Sequence, residues 1–149
     1  MLYKENIMPK SIERKIKTVE ERLERLRTLS NSLSSIENYQ SSTDAKDIAE
    51  RNIQVAIETC LDIGKIIISN QGLKEPKDNK GVFVSLAEAG YLTSENLSFM
   101  VPMAGTRNIL VHGYDKVEDA LIYGILKRHI DDFYTFLKQI KTNYLLKKE

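Results

Sequence analysis

The sequence is poor in the residues that build disulfide frameworks and metal sites. Its 149 residues include one cysteine and two histidines. A single cysteine excludes an intramolecular disulfide, and two distant histidines with one cysteine match no zinc-site spacing. We therefore expect no bound metal and no cofactor. Cys60 lies in an apolar run, and we expect it to be a small buried hydrophobic residue.

Long apolar runs and an excess of one charge are also absent. No stretch approaches the roughly 20 apolar residues needed to cross a bilayer, and residues 1–6 contain no secretory segment, so a cytoplasmic location is the default expectation. The 22 basic and 21 acidic residues leave a formal charge of +1. RNA binding would therefore depend on a local basic patch. Two clusters of basic residues qualify, although each is more often a solvated helix face: Lys10, Arg14, Lys15 and Lys17, and Lys127 with Arg128.

The apolar residues recur with a helical period throughout the chain. No segment alternates with the two-residue period of a half-buried strand, and there is no internal repeat. We predict an all-α fold, an antiparallel bundle of about four to five helices. A chain of this length is expected to form a single domain over residues 1–149, with its core at about residues 10–141.

The first half of the chain predicts two long helices. Residues 9–35 form an amphipathic pattern, and the serine-rich residues 34–43 predict a connection. Thr43 or Asp44 can cap a second helix that runs to about Ser69. The residues expected to face the core are Ile12, Ile16, Val19, Leu23, Leu26 and Leu33 in the first helix, and Ala45, Ile48, Ala49, Ala56, Cys60, Ile63 and Ile67 in the second.

The second half predicts three further helices. A short helix over residues 81–89 is ended by Gly90, and Thr93 or Ser94 begins the next helix, in which Pro102 predicts a kink or a break. The last helix is predicted over residues 117–141. Its inward face is Ile122, Leu126, Ile130, Phe133 and Leu137, and the charged tail after it is expected to fray.

Residues 107–114, Arg-Asn-Ile-Leu-Val-His-Gly-Tyr, carry the clearest chemical signal. Asn108 and His112 are four residues apart and share a helix face, whereas Arg107 and His112 are separated by roughly 140°. The planar guanidinium suits phosphate oxygens, and an unperturbed imidazole titrates near neutrality. The pattern favours metal-independent RNA cleavage. In this hypothesis His112 takes the proton of a 2′-hydroxyl and Arg107 stabilises charge on the phosphate.

Other polar residues are weaker candidates. Glu50, Arg51 and Asp62 interrupt an apolar helix and either orient Arg107 or His112, or form ordinary surface salt bridges. His129, beside acidic residues on the last predicted helix, is expected at a partly exposed surface position.

Residues 107–114 resemble the Arg-Asn-x-Leu-Val-His-x-Tyr signature of HEPN domains. They resemble in particular the HepT-like toxins encoded beside a minimal nucleotidyltransferase antitoxin. The likeness extends to residues 48–58, which look like the second helix of that family, and to residues 86–92 and 100–115. It therefore spans most of the chain, roughly residues 10–140, and the signature itself is intact.

The resemblance implies a function for each residue of the signature. It implies an all-helical homodimer that acts as a metal-independent endoribonuclease, with Arg107 and His112 catalytic and Asn108 supporting them. It also implies that Tyr114 is the site at which the cognate nucleotidyltransferase attaches AMP to silence the toxin. The RNA that is cut does not carry over, because it varies between members of the family.

A non-catalytic adaptor is the alternative function. In that hypothesis the chain is a substrate-binding partner of a nucleotidyltransferase, and Arg107 only holds phosphate. The intact Arg107–His112 pair favours the toxin, because a scaffold has no need of an imidazole at that position.

Overall fold

The computed structural model describes residues 7–113 and 117–146 of the chain. Every helix or strand assigned within these residues is an α-helix, which confirms the all-α fold. None of the described helices is both long and apolar enough to span a membrane. The helices are α1 (Lys10–Ser32), α2 (Ile36–Gln40), α3 (Thr43–Asn70), α4 (Asn79–Glu88), α5 (Ser94–His112), α6 (Asp119–Arg128) and α7 (Ile130–Leu146).

The pairing of α1 with α3 forms the centre of the core. The two helices make the most extensive contact between any two elements of the described chain. All six residues expected to face inward from the first helix are buried, and Leu33 lies immediately after α1 ends. The prediction is wrong for Ile48 of α3, which is 44% exposed. Asn52 is a buried polar residue on this side of α3, and its side-chain oxygen accepts a hydrogen bond from Arg22 at 3.2 Å.

The serine-rich connection contains a short helix that the sequence did not predict. Ser35 caps α2 by accepting a hydrogen bond from the backbone N–H of Asn38 at 3.1 Å. Tyr39 of α2 is fully buried, and its ring lies 5.8 Å from that of Tyr123 on α6. The next helix is capped by Ser42 and not by Thr43 or Asp44, because the Ser42 hydroxyl accepts the Ala45 N–H at 3.1 Å.

Helix α4 ends in a tight turn that leads into α5. It begins at Asn79, two residues before the predicted start, because Asp78 caps it through the Gly81 N–H at 2.8 Å. Gly90 has a φ of 86°, a left-handed conformation that glycine adopts without steric cost. The Tyr91 N–H donates back to the Leu86 carbonyl at 2.9 Å and closes the turn.

Helix α5 continues through its proline. Thr93 caps it, as one of the two predicted caps, and accepts the Asn96 N–H at 3.2 Å. The chain stays helical from Ser94 to His112, so the predicted break at Pro102 is absent. Proline removes one backbone donor. Pro102 is exposed, so its ring lies at the surface and does not disturb the packed side of the helix.

The single last helix predicted from the sequence is two helices. His129 lies between α6 and α7; its N–H still donates to the Ile125 carbonyl at 3.0 Å, and its own carbonyl accepts the Asp132 N–H at 3.2 Å. Helix α7 continues to Leu146, beyond the predicted end. Tyr144 is buried, so helical structure extends into the tail that was expected to fray.

Candidate functional site

Helix α5 is held in place by the packing of its inner face. Met100, Met103 and Ala104 are buried, and α5 packs against α4, α3 and α7. Its first turn is also tied to α7 by side chains. The Thr93 N–H donates to the Gln139 side-chain oxygen at 3.0 Å, and the Asn96 amide donates to the Asp132 carbonyl at 3.1 Å. The helix is therefore a firmly anchored support for the polar groups at its other end.

The outer face of α5 is open in the described structure. Pro102, Ile109 and His112 are exposed, and a Cβ added at Gly105 would meet no atom within 4 Å. These residues recur at three- and four-residue intervals, so they share one side of the helix. We call Pro102, Gly105, Ile109 and His112 the α5 stripe.

Arg107 points away from this stripe and is held by α3. Its Nε donates to Glu58 Oε2 at 3.0 Å, and its Nη1 donates to the side-chain oxygen of Asn108 at 3.3 Å. The side chains of Arg107 and Glu58 are 27% and 32% exposed. A charge-assisted hydrogen bond at this depth fixes the guanidinium, and the other N–H groups of Nη1 and Nη2 remain able to bind phosphate.

His112 is the last residue of α5 and is exposed, on the same face as the exposed Asn108. Gly113 follows it, and the Gly113 N–H donates to the Ile109 carbonyl at 2.7 Å. A Cβ at position 113 would collide with the carbonyl oxygen of Ile109. Glycine therefore allows the close last turn that presents the imidazole. Tyr114, the expected site of AMP attachment, lies outside the described residues.

Within one chain, the side chains of Arg107 and His112 face different directions. Arg107 contacts α3 through Glu58, whereas His112 is exposed at the end of the α5 stripe. The divergence follows from the roughly 140° between positions five residues apart on a helix. A phosphate that contacts both groups must therefore lie across the end of α5.

Glu58, and not Glu50 or Arg51, is the acidic or basic residue of α3 that touches Arg107. Within the described residues neither Glu50 nor Arg51 makes a hydrogen bond or ion pair with Arg107 or His112. Burial raises the pKa of Glu50, and nearby Asp47 and Asp119 raise it further. A supporting role for the two residues stays a prediction.

The sequence around Glu58 indicates that this residue needs a partner. The residue is the only charged side chain in the otherwise apolar or buried run of residues 56–61. A carboxylate in such a run needs a partner, because burying an unpaired charge is costly. That requirement marks Glu58 as a residue that needs a basic partner, but it does not identify Arg107 as that partner.

Two of the other polar candidates, Lys127 and His129, have structural partners. Lys127 donates to the carbonyls of Ser30 at 2.6 Å and Leu33 at 2.7 Å. It therefore caps the end of α1, and its amine is not available to bind RNA as part of a basic patch. His129 is partly exposed, as predicted; its Nδ1 lies 2.8 Å from an oxygen of Asp132, and its ring stacks on Phe99 at 5.4 Å.

Among the described residues, Cys60 belongs to no candidate catalytic or metal site. Cys60 is fully buried, as predicted, and burial raises the pKa of its thiol. Among the described residues no three histidine, cysteine or acidic side chains are grouped as metal ligands. The chemically distinctive groups of the described chain are therefore those on and beside α5.

Comparison with known proteins assigns the chain to a family. The profile described as "Ribonuclease HepT-like" matches residues 19–140, which include α5 and the residues it packs against. The chain belongs to the HepT-like ribonuclease family. A HepT-like relative, the "tRNA nuclease HepT" of Aphanizomenon flos-aquae, is 28% identical over 144 residues, 97% of this chain and 96% of the relative. The "mRNA nuclease HepT" of Shewanella oneidensis is 28% identical over 103 residues, 69% of this chain and 77% of the relative.

A solved HEPN toxin shares the fold. The tri-AMPylated HEPN toxin of Shewanella oneidensis, solved in complex with the MNT antitoxin, superposes with a TM-score of 0.83 at 27% identity. The match covers 91% of this chain and 99% of the toxin. The overall helical architecture of this chain is therefore shared with a solved HEPN toxin.

Proposed function

We propose that this HepT-like chain is the toxin of a toxin–antitoxin pair and cuts RNA without a metal ion. The observation that carries the proposal is α5, a firmly packed helix that presents a fixed guanidinium and an exposed imidazole five residues apart. Family membership supports the reaction class, because the relatives named above are RNA nucleases. The two relatives are named for different RNAs, tRNA and mRNA, so the proposed substrate is RNA in general.

The proposed reaction uses the 2′-hydroxyl of the substrate as nucleophile. His112 Nε2 or Nδ1 accepts the hydroxyl proton while the 2′-oxygen forms a bond to phosphorus. The bond from phosphorus to the 5′-oxygen breaks, and the leaving oxygen takes up a proton. Arg107 stabilises the charge that develops on the phosphate oxygens, and Asn108 holds the guanidinium. The products are a 2′,3′-cyclic phosphate and a free 5′-hydroxyl.

A homodimer provides the second proton carrier. One imidazole cannot act as base and acid in the same instant, and the second described histidine, His129, is paired with Asp132 elsewhere. We propose that a second copy packs on the α5 stripe, so that His112 of the second copy protonates the leaving oxygen. The stripe supports this arrangement because it is apolar, open and ends at His112.

Cleavage of cellular RNA in EDTA tests the proposal. The purified protein is expected to cut, and the 2′,3′-cyclic phosphate is identified by mass spectrometry of the fragments. Arg107→Ala and His112→Ala should each lose activity by roughly 10²–10⁴-fold, the range for one acid–base or electrostatic group. A folded wild-type protein that is unmodified and cuts no RNA would favour the non-catalytic adaptor.

We also propose that AMP attached to Tyr114 silences the toxin. The support is the intact signature and the AMPylated HEPN toxin solved with its MNT antitoxin. The modification adds a negatively charged phosphodiester two residues after His112, where it would repel an RNA phosphate. The partner required is a minimal nucleotidyltransferase that recognises this end of α5.

Mass spectrometry after incubation with that nucleotidyltransferase and ATP tests the assignment. Wild type should gain one or more AMP groups and lose nuclease activity. Tyr114→Phe should remain unmodified and active. Tyr134→Phe is the matched control, a partly buried tyrosine on α7 whose loss should not prevent modification. Modification of Tyr114→Phe to the wild-type extent would show that another residue is the acceptor.

A further inference from the structure

A small polar pocket lies directly beside the catalytic arginine. It has a volume of about 270 Å³ and is lined by Glu58, Leu61, Asp62, Lys65, Asn79 and Arg107. Leu61 is the one apolar residue in this lining. The pocket therefore suits a ligand that forms hydrogen bonds, and its position next to Arg107 places that ligand beside the phosphate that Arg107 binds.

The charges around the pocket balance. Two carboxylates, Glu58 and Asp62, face two cations, Lys65 and Arg107. A second phosphate would meet the Asp62 carboxylate as well as the Lys65 amine, and the repulsion would offset the attraction. A neutral ligand that carries both donors and acceptors satisfies the same groups without a net charge. In an RNA strand that ligand is a base.

Several hydrogen-bonding groups of the pocket are unused in the part of the chain that the structure describes. Glu58 binds Arg107 through Oε2, whereas the Lys65 amine and the Asn79 amide make no hydrogen bond or ion pair. Asp62 makes only a long ion pair, 3.9 Å from Oδ2 to Lys15 Nζ. Asp62 and Lys65 are three residues apart on α3, so their side chains lie next to each other on one face.

We propose that this pocket binds the guanine base of a nucleotide next to the cleaved phosphate. The Watson–Crick edge of guanine presents two neighbouring donors, the N2 amino group and N1–H, followed by the O6 acceptor. Asp62 accepts from both donors, and Lys65 donates to O6, with the Asn79 amide beside it. Adenine, cytosine and uracil each present a single donor on that edge and cannot bind the Asp62 carboxylate through two hydrogen bonds.

The inference rests on the proposed ribonuclease function and adds a base preference to it. Single-stranded RNA is commonly read in this way, with an unpaired base hydrogen-bonded along its Watson–Crick edge. A bidentate contact of this kind discriminates between bases by about 5- to 150-fold. Cleavage should therefore favour sites with guanosine beside the broken bond by that factor over adenosine.

Short single-stranded RNAs that differ at one nucleotide test the contact. Each nucleotide flanking the broken bond is varied among guanosine, adenosine, inosine and 7-deazaguanosine, and kcat/KM is measured. Inosine lacks the N2 amino group and should lose most of the preference. 7-Deazaguanosine keeps the Watson–Crick edge and should match guanosine within about twofold, because a single edge is read.

Two variants with matched controls locate the preference on α3. Asp62→Asn should bring guanosine close to the adenosine level, since the side-chain amide offers guanine one acceptor oxygen in place of two and sets N–H groups against its second donor. Asp47→Asn, an exposed acid on the same helix, should keep the preference. Lys65→Met should reduce it, whereas Lys138→Met on α7 should not. Equal cleavage at guanosine and adenosine by the wild type, or a preference that survives Asp62→Asn, would overturn the proposal.

Binding of free nucleosides separates this proposal from the ribonuclease function. The His112→Ala protein is titrated with guanosine and with adenosine while the Asn79 side-chain amide is followed by NMR. A guanosine-specific shift in a protein whose wild type cuts no RNA would support the base pocket and reject the ribonuclease. Cleavage without base preference and without that shift would reject the pocket alone. Neither cleavage nor shift would reject both.

Discussion

At the residue scale, Arg107 depends on a partner 49 residues earlier in the chain. Glu58 keeps the guanidinium from moving freely in solvent, so it is a positioning residue for the proposed reaction. The ion pair itself adds little to folding, because pairs that are about a third exposed contribute at most about 1 kcal/mol. Its main effect is expected on the geometry of the phosphate site.

Replacement of this carboxylate should therefore separate activity from stability. Glu58→Gln is expected to lower kcat/KM by roughly 10- to 100-fold, since small misplacement of a catalytic group has effects of that size. The melting temperature should change little. Glu20→Gln is the control, because Glu20 makes a similar ion pair with Lys141 at 3.2 Å away from α5. Equal loss of activity in both variants would argue against positioning by Glu58.

Gly113 is a second residue whose importance comes from local geometry. Gly113→Ala places a Cβ against the Ile109 carbonyl oxygen and should open the last turn of α5. Nuclease activity is expected to fall by about tenfold or more, because His112 moves with that turn. Gly105→Ala, at a position with open space around the added Cβ, should keep α5 intact in the monomer. Unchanged activity in Gly113→Ala would show that the close turn is not required.

At the element scale, α2 buries a tyrosine whose hydroxyl has no hydrogen-bond partner in the described part of the chain. Burial raises the pKa of Tyr39, and Glu50, Asp119 and Asp47 raise it further. The folded state favours the neutral phenol, so deprotonation of Tyr39 destabilises the fold. The free energy of unfolding is therefore unaffected by this titration at neutral pH and falls as pH rises above 10.0, the ordinary pKa.

Tyr39→Phe removes the unpaired hydroxyl without changing the shape of the ring. The variant is expected to be as stable as wild type or up to about 1 kcal/mol more stable at neutral pH. Its stability should also fall less steeply than that of wild type above pH 10.0, the value at which an ordinary tyrosine titrates. Urea unfolding at pH 7 and at alkaline pH measures both effects. A variant that is clearly less stable at pH 7 would imply a hidden partner for the hydroxyl.

The elements show where sequence reasoning succeeds and where it stops. The spacing of Ile12, Ile16 and Val19 was enough to predict α1, because one amphipathic face has one way to bury itself. The break at His129 was not predictable in the same way. No proline or glycine marks it, and it is held by a ring contact with Phe99 and a bond to Asp132, both tertiary or local side-chain effects. The prediction at Pro102 failed in the opposite direction: a break was predicted and is absent. An exposed proline does not break a helix that is packed on its other side.

For the candidate site, the sequence was enough to predict the chemical groups but not their contacts with other helices. The signature predicted the chemical groups and their helix, and the structure places Asn108 and His112 on one exposed face, as the four-residue spacing required. The contact between Arg107 and Glu58 was missed because it joins two helices whose register no local pattern reports. The pairing of residues across helices is a property of the fold and not of either segment.

At the scale of the whole molecule, the proposed dimer requires that a second copy packs on the α5 stripe. Ile109→Glu puts a charge in the middle of the stripe and should convert a dimer into a monomer with little nuclease activity. Ile48→Glu is the matched control, because Ile48 is exposed to a similar extent, 44% against 39%, but lies on α3. Light scattering after size-exclusion chromatography measures the mass, and circular dichroism confirms that both variants fold. A monomeric Ile109→Glu protein with full activity would contradict the composite site.

The most direct test of the central claim compares the two histidines of the chain. Initial rates of RNA cleavage in EDTA are measured for wild type, His112→Ala and His129→Ala at equal concentration. If α5 carries the chemistry, His112→Ala falls by roughly 10²–10⁴-fold, while His129→Ala stays within about twofold. Retained activity in a folded His112→Ala protein would contradict the account.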